Sequence, residues 1–269
     1  MLFSGSSGNV LLLAFGLSLA VSALGFLRSD WFISLGYGLS ISALAVLYGV
    51  WWFDEKTWVS MLQLALLFFY GIRLSSHLFL RERSSSYASE LEVSKSRSAR
   101  MRGPIKLVVW VSVSALYVAM SWPAAVTLSS ATLGFTEIIG VMLMVVGVGL
   151  ELTADLQKAA AKTRDPGRFV QTGLFSWVRY PNYLGEMLFW LGNFVASILL
   201  HAGLGSFLLA TVGLVCLELI MLGSTRRLEL KQAVRYGSDP EFVRYTQAIP
   251  ILFPFIPFYS IKRLRIYLG

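Results

Sequence analysis

Long stretches without a charged side chain constrain the fold of this chain more than any other feature of its sequence. No Asp, Glu, Lys or Arg occurs in residues 10–27, 31–53 or 107–136. A helix needs ~20 apolar residues to cross the hydrocarbon core of a bilayer. With 56% hydrophobic and 14% charged residues, the chain is also too apolar for a soluble domain. We therefore predict an all-α, multi-pass integral membrane protein.

Seven spans are predicted, at residues 9–27, 31–53, 57–79, 106–127, 135–154, 182–200 and 204–224. The first run lacks a basic region and a small-residue cleavage site, so we expect a retained helix and not a signal peptide. All of the 23 basic residues except Lys56 and Arg73 follow an odd-numbered span or lie in the C-terminal tail. The positive-inside rule then predicts an outside N-terminus and a cytoplasmic C-terminus. The membrane could be the bacterial inner membrane or the endoplasmic reticulum.

The remaining segments have simpler interpretations. The net charge of +8 follows from the cytoplasmic loops, so we expect contact with membrane lipids and not with nucleic acid. The serine-rich loop 81–106 is predicted to be a solvated connector. His201, in a short turn, is expected at the surface. Residues 249–259 contain three prolines, cannot span, and are predicted to be interfacial or to form a lid. A single cysteine, Cys216, excludes an intrachain disulfide.

Polar residues recur along one face of span three. Gln63, Tyr70 and His77 are spaced by seven, and Arg73 lies between the last two. Such a face is either a hydrogen-bonded seam between helices or a functional site. Because four polar groups align, we favour a site. Asp30 opens span two on the same side of the membrane as the end of span three, and it is either a helix N-cap or a candidate catalytic carboxylate.

A stripe of charge runs out of the membrane at the end of span five, formed by Glu151, Asp155, Lys158 and Lys162. It could consist of solvated ion pairs of little energetic value. Glu151, however, lies within the apolar run, where an unpaired carboxylate is costly. The acidic groups would accept from hydroxyls or an amide of a ligand, and the basic groups would meet phosphates.

The segment from residue 167 to residue 193 is the most specific pattern in the chain. Gly167 and Gly173 permit tight turns, and Arg168 and Arg179 offer forked donors for phosphate oxygens. Pro181 fits the first turn of span six, where its missing N–H costs nothing. One face of that helix then carries three polar residues, Asn182, Glu186 and Asn193. Polar groups buried in a membrane helix indicate a ligand site by default.

Span seven carries another polar face, with Glu218, Thr225, Arg226 and Glu229. Glu218 is as well explained by a structural ion pair as by a site. No Gly-x-Gly-x-x-Gly, Walker or His-Glu-x-x-His motif occurs, and two histidines with one cysteine predict no metal site. A nucleotide would have to be held within the helical bundle.

Three short motifs together resemble the C-terminal domain of the steroid 5-alpha-reductase family: Gly167-Arg168-Phe169, Gly173-Leu174-Phe175 and Arg179-Tyr180-Pro181-Asn182-Tyr183-x-Gly185-Glu186. The resemblance extends over residues 151–255 and reaches the first half only in topology. It implies a seven-helix bundle with NADPH in a cavity open to the cytoplasm. Residues 1–130 would then form the substrate side, and residues 131–269 the cofactor side, of one membrane domain.

The resemblance also assigns roles to residues. Asp155, Arg168, Asn182 and Glu186 match cofactor-binding positions of the family, whereas Glu151 stands where relatives have an amide. Residues 226–229, including Arg226 and Glu229, occupy the cofactor segment after the last helix. Tyr70, three residues before Arg73, matches the tyrosine directed at the substrate carbonyl.

Two departures leave the substrate open. The early Gln-Glu pair of steroid-reducing members is missing, with Asp30 or Glu55 as substitutes, and position 180 is tyrosine where many bacterial relatives have histidine. The implied activity is NADPH-dependent reduction of a double bond conjugated to a carbonyl in a lipophilic substrate. The alternative is a membrane methyltransferase of the isoprenylcysteine type, which binds S-adenosylmethionine. The oligomeric state stays open.

Overall fold

Helices are the only regular secondary structure in the part of the chain that the structure, a computed structural model, describes: residues 5–52, 54, 57–83, 88–130 and 133–264. Nine α-helices follow one another within these residues. They are α1 (Gly5–Ser22), α2 (Leu35–Trp51), α3 (Trp58–Glu82), α4 (Ala88–Arg100), α5 (Gly103–Ser130), α6 (Phe135–Arg164), α7 (Pro181–Ser197), α8 (Leu204–Tyr236) and α9 (Pro240–Ala248). Short 3-10 turns occupy Ala23–Phe26, Ser29–Phe32 and Gly173–Ser176.

Six of the described helical segments are long and apolar enough to cross a membrane. They correspond to predicted spans one to five and seven, and they confirm a multi-pass membrane protein. The remaining predicted span, 182–200, corresponds to α7, which has 17 residues. That length is at the lower limit for a spanning helix. The count of seven spans and the orientation in the membrane therefore stay predictions.

The segment 81–106, predicted to be a solvated connector, contains a helix that its serines did not indicate. Residues Ala88–Arg100 form α4, and the backbone N–H of Ser29 donates to the hydroxyl oxygen of buried Ser98 at 2.7 Å. Serine and charged residues alternate there without a long apolar run, so the hydrophobic pattern did not reveal a helix that docks mainly through its polar groups.

The chain divides into two compact units, and α6, α7 and α8 each contribute a segment to both. The first unit comprises Met1–Val141 and Asn193–Leu214, and the second Met142–Gly192 and Val215–Gly269. In the first unit, α2 and α3 approach each other closely. A Cβ atom at Gly71 would lie 2.2 Å from the carbonyl oxygen of Gly38, so only glycine allows these two backbones to approach so closely.

A buried polar network links helices of the first unit. The side-chain amide of Gln63 donates to Asn193 at 2.8 Å and its oxygen accepts from Thr127 at 2.7 Å. Asn193 in turn donates to the carbonyl oxygen of Met120 at 2.9 Å. Gln63 and Asn193, predicted as part of a ligand site, therefore have structural roles, because their polar groups are satisfied by other helices.

His201, expected at the surface, is half-buried and has hydrogen-bonding partners in both flanking helices. Its ring nitrogens lie 3.1 Å from the hydroxyl of Ser197 and 2.9 Å from that of Ser206, and Ser206 also accepts from the indole N–H of Trp122. The half-buried ring thus ties the end of α7 to the start of α8.

Aromatic side chains organise the polar end of the second unit. Phe169, Phe242 and Tyr245 form a buried cluster against which Tyr236 and Ile249 pack. The hydroxyl of Tyr245 donates to the carbonyl oxygen of Phe175 at 2.7 Å, and burial raises the pKa of Tyr245. The hydroxyl therefore stays a neutral donor that fastens α9 to the loop preceding α7.

Candidate functional site

Tyr70 lies in the interior of the first unit beside another tyrosine. It is buried, and its hydroxyl oxygen is 3.4 Å from that of Tyr37. The ring of Tyr37 stacks on that of Tyr117 with a centroid distance of 5.4 Å, and the Tyr117 hydroxyl donates to the carbonyl oxygen of Phe32 at 2.6 Å. These contacts restrict the rotamers of all three rings.

The glycine contact between α2 and α3 explains why the two hydroxyls meet. Tyr37 precedes Gly38 and Tyr70 precedes Gly71, so both side chains leave their helices at the point of closest approach. Arg73 is half-buried on the next turn of α3, with its guanidinium carbon 5.7 Å from the centre of the Tyr70 ring. The sequence analysis did not identify Tyr37, although its position next to two glycines of α2 was a usable signal.

Asp30 takes part in an ion-pair cluster and does not cap α2. It pairs with Arg28, which also donates to Glu82 at 3.0 Å, and these bonds, led by the one to Asp30, raise the pKa of Arg28. The indole N–H of Trp31 also donates to Glu82. The N-cap interpretation was wrong because α2 begins only at Leu35. Glu55, the other residue named as a substitute for the missing Gln-Glu pair, lies outside the described residues.

A second glycine contact places Glu151 against α7 in the second unit. A Cβ atom at Gly185 would lie 2.6 Å from the carbonyl oxygen of Gly147 and 3.1 Å from the Cβ of Glu151. Glu151 is 5% exposed. Glu186 follows Gly185, and its carboxylate interacts electrostatically with that of Glu218 on α8. The helix packing thus gathers carboxylates from α6, α7 and α8 in one unit.

The loop between α6 and α7 is anchored by a side chain that the sequence analysis missed. The side-chain oxygen of Gln157 accepts from the backbone N–H of Leu174 at 2.8 Å. Gly173 has φ +65, and a Cβ atom there would lie 2.4 Å from the same oxygen. Glycine at position 173 is therefore required both for its backbone conformation and for its lack of a side chain.

The lysine at the end of the predicted stripe also organises this loop. Lys162 donates to the carbonyl oxygens of Pro166, at 3.3 Å, and of Arg168, and to the hydroxyl of Tyr236 at 3.2 Å. Asp155 is half-buried one turn beyond Glu151 on α6. The stripe therefore begins with a buried carboxylate, Glu151, and ends with a lysine, Lys162, that anchors the loop.

Arg168 forms an exposed ion pair with α9. Both carboxylate oxygens of Glu241 accept from its guanidinium at 2.7 Å. Bonds from Gln171 and then Arg168 lower the pKa of Glu241. The two side chains are 51% and 40% exposed, so the pair is worth little free energy, and an anionic ligand could replace Glu241.

Arg179 and Glu229 form a buried pair that holds the C-terminal segment. They are 2% and 4% exposed, with 3.2 Å between the guanidinium nitrogen and the carboxylate. Arg179 also donates to the carbonyl oxygen of Tyr259, and Glu229 accepts from the backbone N–H of Ile261 at 2.9 Å. Arg226 donates to the carbonyl oxygen of Lys262 at 3.2 Å. Three predicted cofactor residues therefore hold the backbone of the tail.

The residue types of the second unit fit a dinucleotide. The exposed guanidinium of Arg168 is a cationic donor of the kind that suits a phosphate oxygen. Glu151, Asp155 and Glu186 supply acceptors for hydroxyls and an amide. Asn182, half-buried in the first turn of α7, supplies both donors and acceptors.

The predicted site residues are thus divided between the units. Tyr70, Arg73 and Asp30 belong to the first unit, where Tyr70 and Arg73 are neighbours. The second unit contains the other nine: Glu151, Asp155, Lys162, Arg168, Arg179, Asn182, Glu186, Arg226 and Glu229. No group of three or more potential metal ligands occurs among the described residues.

Comparison with known proteins gives one match. A family model described as a protein of unknown function (DUF1295) matches residues 23–249. No curated protein and no solved structure matches significantly.

Proposed function

Because the chain belongs to the DUF1295 family, whose description assigns no activity, we propose a function from its own residues. We infer that it is a membrane-bound, NADPH-dependent reductase of a carbon–carbon double bond conjugated to a carbonyl in a lipophilic substrate. The main support is the contact of Gly147 with Gly185, which brings Glu151 against the helix that carries Asn182 and Glu186. Glu151 and Glu186 supply acceptors and Asn182 supplies an amide, and these groups suit the polar parts of a dinucleotide.

In this proposal the cofactor is held by the second unit. The carboxylates of Asp155 and Glu186 accept from hydroxyl or amide groups, and Asn182 contributes both kinds of bond. Arg168 binds phosphate in place of its partner Glu241. Breaking this ion pair costs little free energy because both side chains are exposed. When bound, NADPH supplies the hydride that reduces the β-carbon of the enone.

Tyr70 is the proposed donor to the carbonyl oxygen of the substrate. Negative charge develops on that oxygen as the β-carbon is reduced, and a fixed hydroxyl donor stabilises the charge. The guanidinium carbon of Arg73 lies 5.7 Å from the centre of the Tyr70 ring. In the same step its positive charge polarises the phenol that donates to the substrate oxygen. The low dielectric constant between packed helices strengthens both effects.

The alternative is a methyltransferase of the isoprenylcysteine type, which would bind S-adenosylmethionine in the second unit. That activity has no use for a phenol donor at Tyr70, and it provides no phosphates for Arg168. The spacing of Asn182 and Glu186, together with the stripe from Glu151 to Lys162, therefore favours the reductase.

Replacing Tyr70 by phenylalanine tests the proposed chemistry. We expect purified wild-type protein to oxidise NADPH when supplied with a 4-en-3-one steroid or a long-chain 2-enone. Tyr70→Phe should slow this reaction by roughly 10²-fold, as expected for the loss of one oxyanion donor. The dissociation constant for NADPH should stay unchanged, because Tyr70 does not contact the cofactor in this proposal.

Tyr48→Phe is the matched control. Tyr48 is another buried tyrosine of the first unit, and its hydroxyl lies 3.2 Å from that of Ser121. It should retain wild-type turnover. Equal rates for wild type and Tyr70→Phe would remove Tyr70 from the mechanism, and no enone-dependent oxidation of NADPH would count against the reductase itself.

A further inference from the structure

The C-terminal segment carries an exposed apolar loop, residues 253–258, which we call the tail loop. Phe255 is 98% exposed and Ile256 is 53% exposed. By contrast, Ile251, Leu252 and Ile261, which flank the loop, are fully buried. Because the flanking residues are buried, both ends of the loop are held against the protein, and only its apolar tip is exposed.

The backbone of the tail loop is ordered by hydrogen bonds. The N–H of Ile251 donates to the carbonyl oxygen of Phe258 at 2.8 Å, and the N–H of Arg179 donates to that of Pro250 at 2.9 Å. Phe255 has φ 67, the only positive φ of a non-glycine residue among the described residues. Such a conformation is unfavourable for a bulky residue and is kept where surrounding structure enforces it. Here it directs the phenyl ring outward.

The attachment points of the tail lie near the end of the apolar part of α8, a helix long and apolar enough to cross a membrane. Arg226 and Glu229, which hold Lys262 and Ile261, come directly after the apolar part of α8, predicted to span residues 204–224. At ~1.5 Å per residue, these contacts lie within about one to two helical turns of the membrane boundary. Arg179 lies two residues before the start of α7 and donates to the carbonyl oxygen of Tyr259, so the predicted span 182–200 places the tail near the same boundary.

Basic side chains accompany the apolar tip. Lys262 and Arg263 are exposed, as is Arg227 at the end of the apolar part of α8. An apolar tip with adjacent cations is the combination that binds the interface of an anionic bilayer. We propose that the tail loop inserts Phe255 and Ile256 into the interface of the same membrane that the helices cross, with Lys262 and Arg263 against anionic headgroups. This role is independent of the proposed reductase activity.

Site-directed spin labelling of the full chain tests this insertion. The single native cysteine is removed with Cys216→Ser, and a nitroxide is attached to Phe255→Cys or, in a second variant, to Ile256→Cys. Ser238→Cys is the matched control, because Ser238 is exposed in the turn between α8 and α9 of the same unit. Each protein is placed in nanodiscs of phosphatidylcholine and phosphatidylglycerol, and collisions with oxygen and with a water-soluble nickel complex are measured.

Insertion predicts a several-fold higher ratio of oxygen to nickel accessibility at positions 255 and 256 than at position 238. The ratio at 255 should fall when phosphatidylglycerol is omitted, since the basic residues then lose their partners. Equal ratios at all three positions would overturn the proposal. It would also fail if the label at 255 were shielded from both reagents, as in a lid closed onto protein, or showed spin–spin broadening from a second copy of the chain.

Discussion

Individual polar residues in the membrane-spanning helices serve two different purposes. Gln63 and Asn193 complete each other's hydrogen bonds and those of Thr127, so they specify which helices pack together. By contrast, the guanidinium of Arg73 lies over the ring of Tyr70, and its positive charge polarises the phenol. The proposed function assigns a role toward a ligand only to the second pair.

His201 provides a prediction at this scale. Burial lowers the pKa of His201, so the unfolded chain binds a proton more readily than the folded one. Stability from the neutral ring is then fully present above the unfolded pKa of about 6.5 and is lost as the pH falls from that value through the lower pKa of the folded state. We expect the melting temperature of wild type to fall more between pH 7.5 and pH 5.5 than that of His201→Gln. Parallel pH profiles would show that His201 does not contribute.

The sequence indicated which residues are polar at membrane depth but not which partners they have. Gln63 and Tyr70 share one face of α3, yet the first belongs to a packing network and the second to a tyrosine pair. Tyr37 and Gln157 were missed because neither belongs to a periodic polar pattern, and the two glycines that flank Tyr37 do not reveal its partner. Their roles arise from contacts with distant segments, Tyr70 and Leu174, which local patterns do not encode.

At the scale of helices, two glycine contacts set the positions of the candidate residues. Gly38 with Gly71 brings α2 against α3, and Gly147 with Gly185 brings α6 against α7. In membranes, helices associate through such close backbone packing and not through hydrophobic burial. A single methyl group at either contact should therefore move whole helices.

Gly185→Ala should destabilise the protein by about 1–3 kcal/mol, the usual range for an overpacked contact. The added methyl group would lie 2.6 Å from the carbonyl oxygen of Gly147 and 2.8 Å from the backbone nitrogen of Glu151. Thermal unfolding in detergent measures the effect.

Gly149→Ala is the control for this prediction. Gly149 lies in α6, as does Gly147, and a Cβ atom at position 149 would meet nothing within 4 Å. Because alanine is the better helix former, this variant should be neutral or slightly stabilising. Equal melting temperatures for the two variants would contradict the importance of the contact between α6 and α7.

Helix existence was predictable where apolar runs were long, since α2, α3, α5, α6 and α8 all overlap a predicted span. Pro181 also begins α7, as its position indicated. Polar helices were not predictable. α4 and α9 were missed because they lack a long apolar run. After α9, the prolines at positions 250, 254 and 257 indicated a loop, but they did not reveal that Ile251 and Leu252 are buried.

At the scale of the whole molecule, two units contain different parts of the candidate machinery. The first contains the tyrosines and Arg73, and the second contains the residues suited to a dinucleotide. The distribution of basic residues further predicts that the second unit's polar end is cytoplasmic, where NADPH is available.

The most direct test of this assignment is the thermal stability of the purified protein titrated with NADPH or with S-adenosylmethionine. A ligand that binds only the folded state stabilises it by about 2.7 kcal/mol at a concentration 100 times its dissociation constant. We predict that NADPH raises the melting temperature of wild type and of Glu92→Gln, an exposed control on α4, but raises that of Glu186→Gln much less. S-adenosylmethionine should change none of them. Stabilisation by S-adenosylmethionine alone, or an equal effect of NADPH on all three proteins, would contradict the assignment.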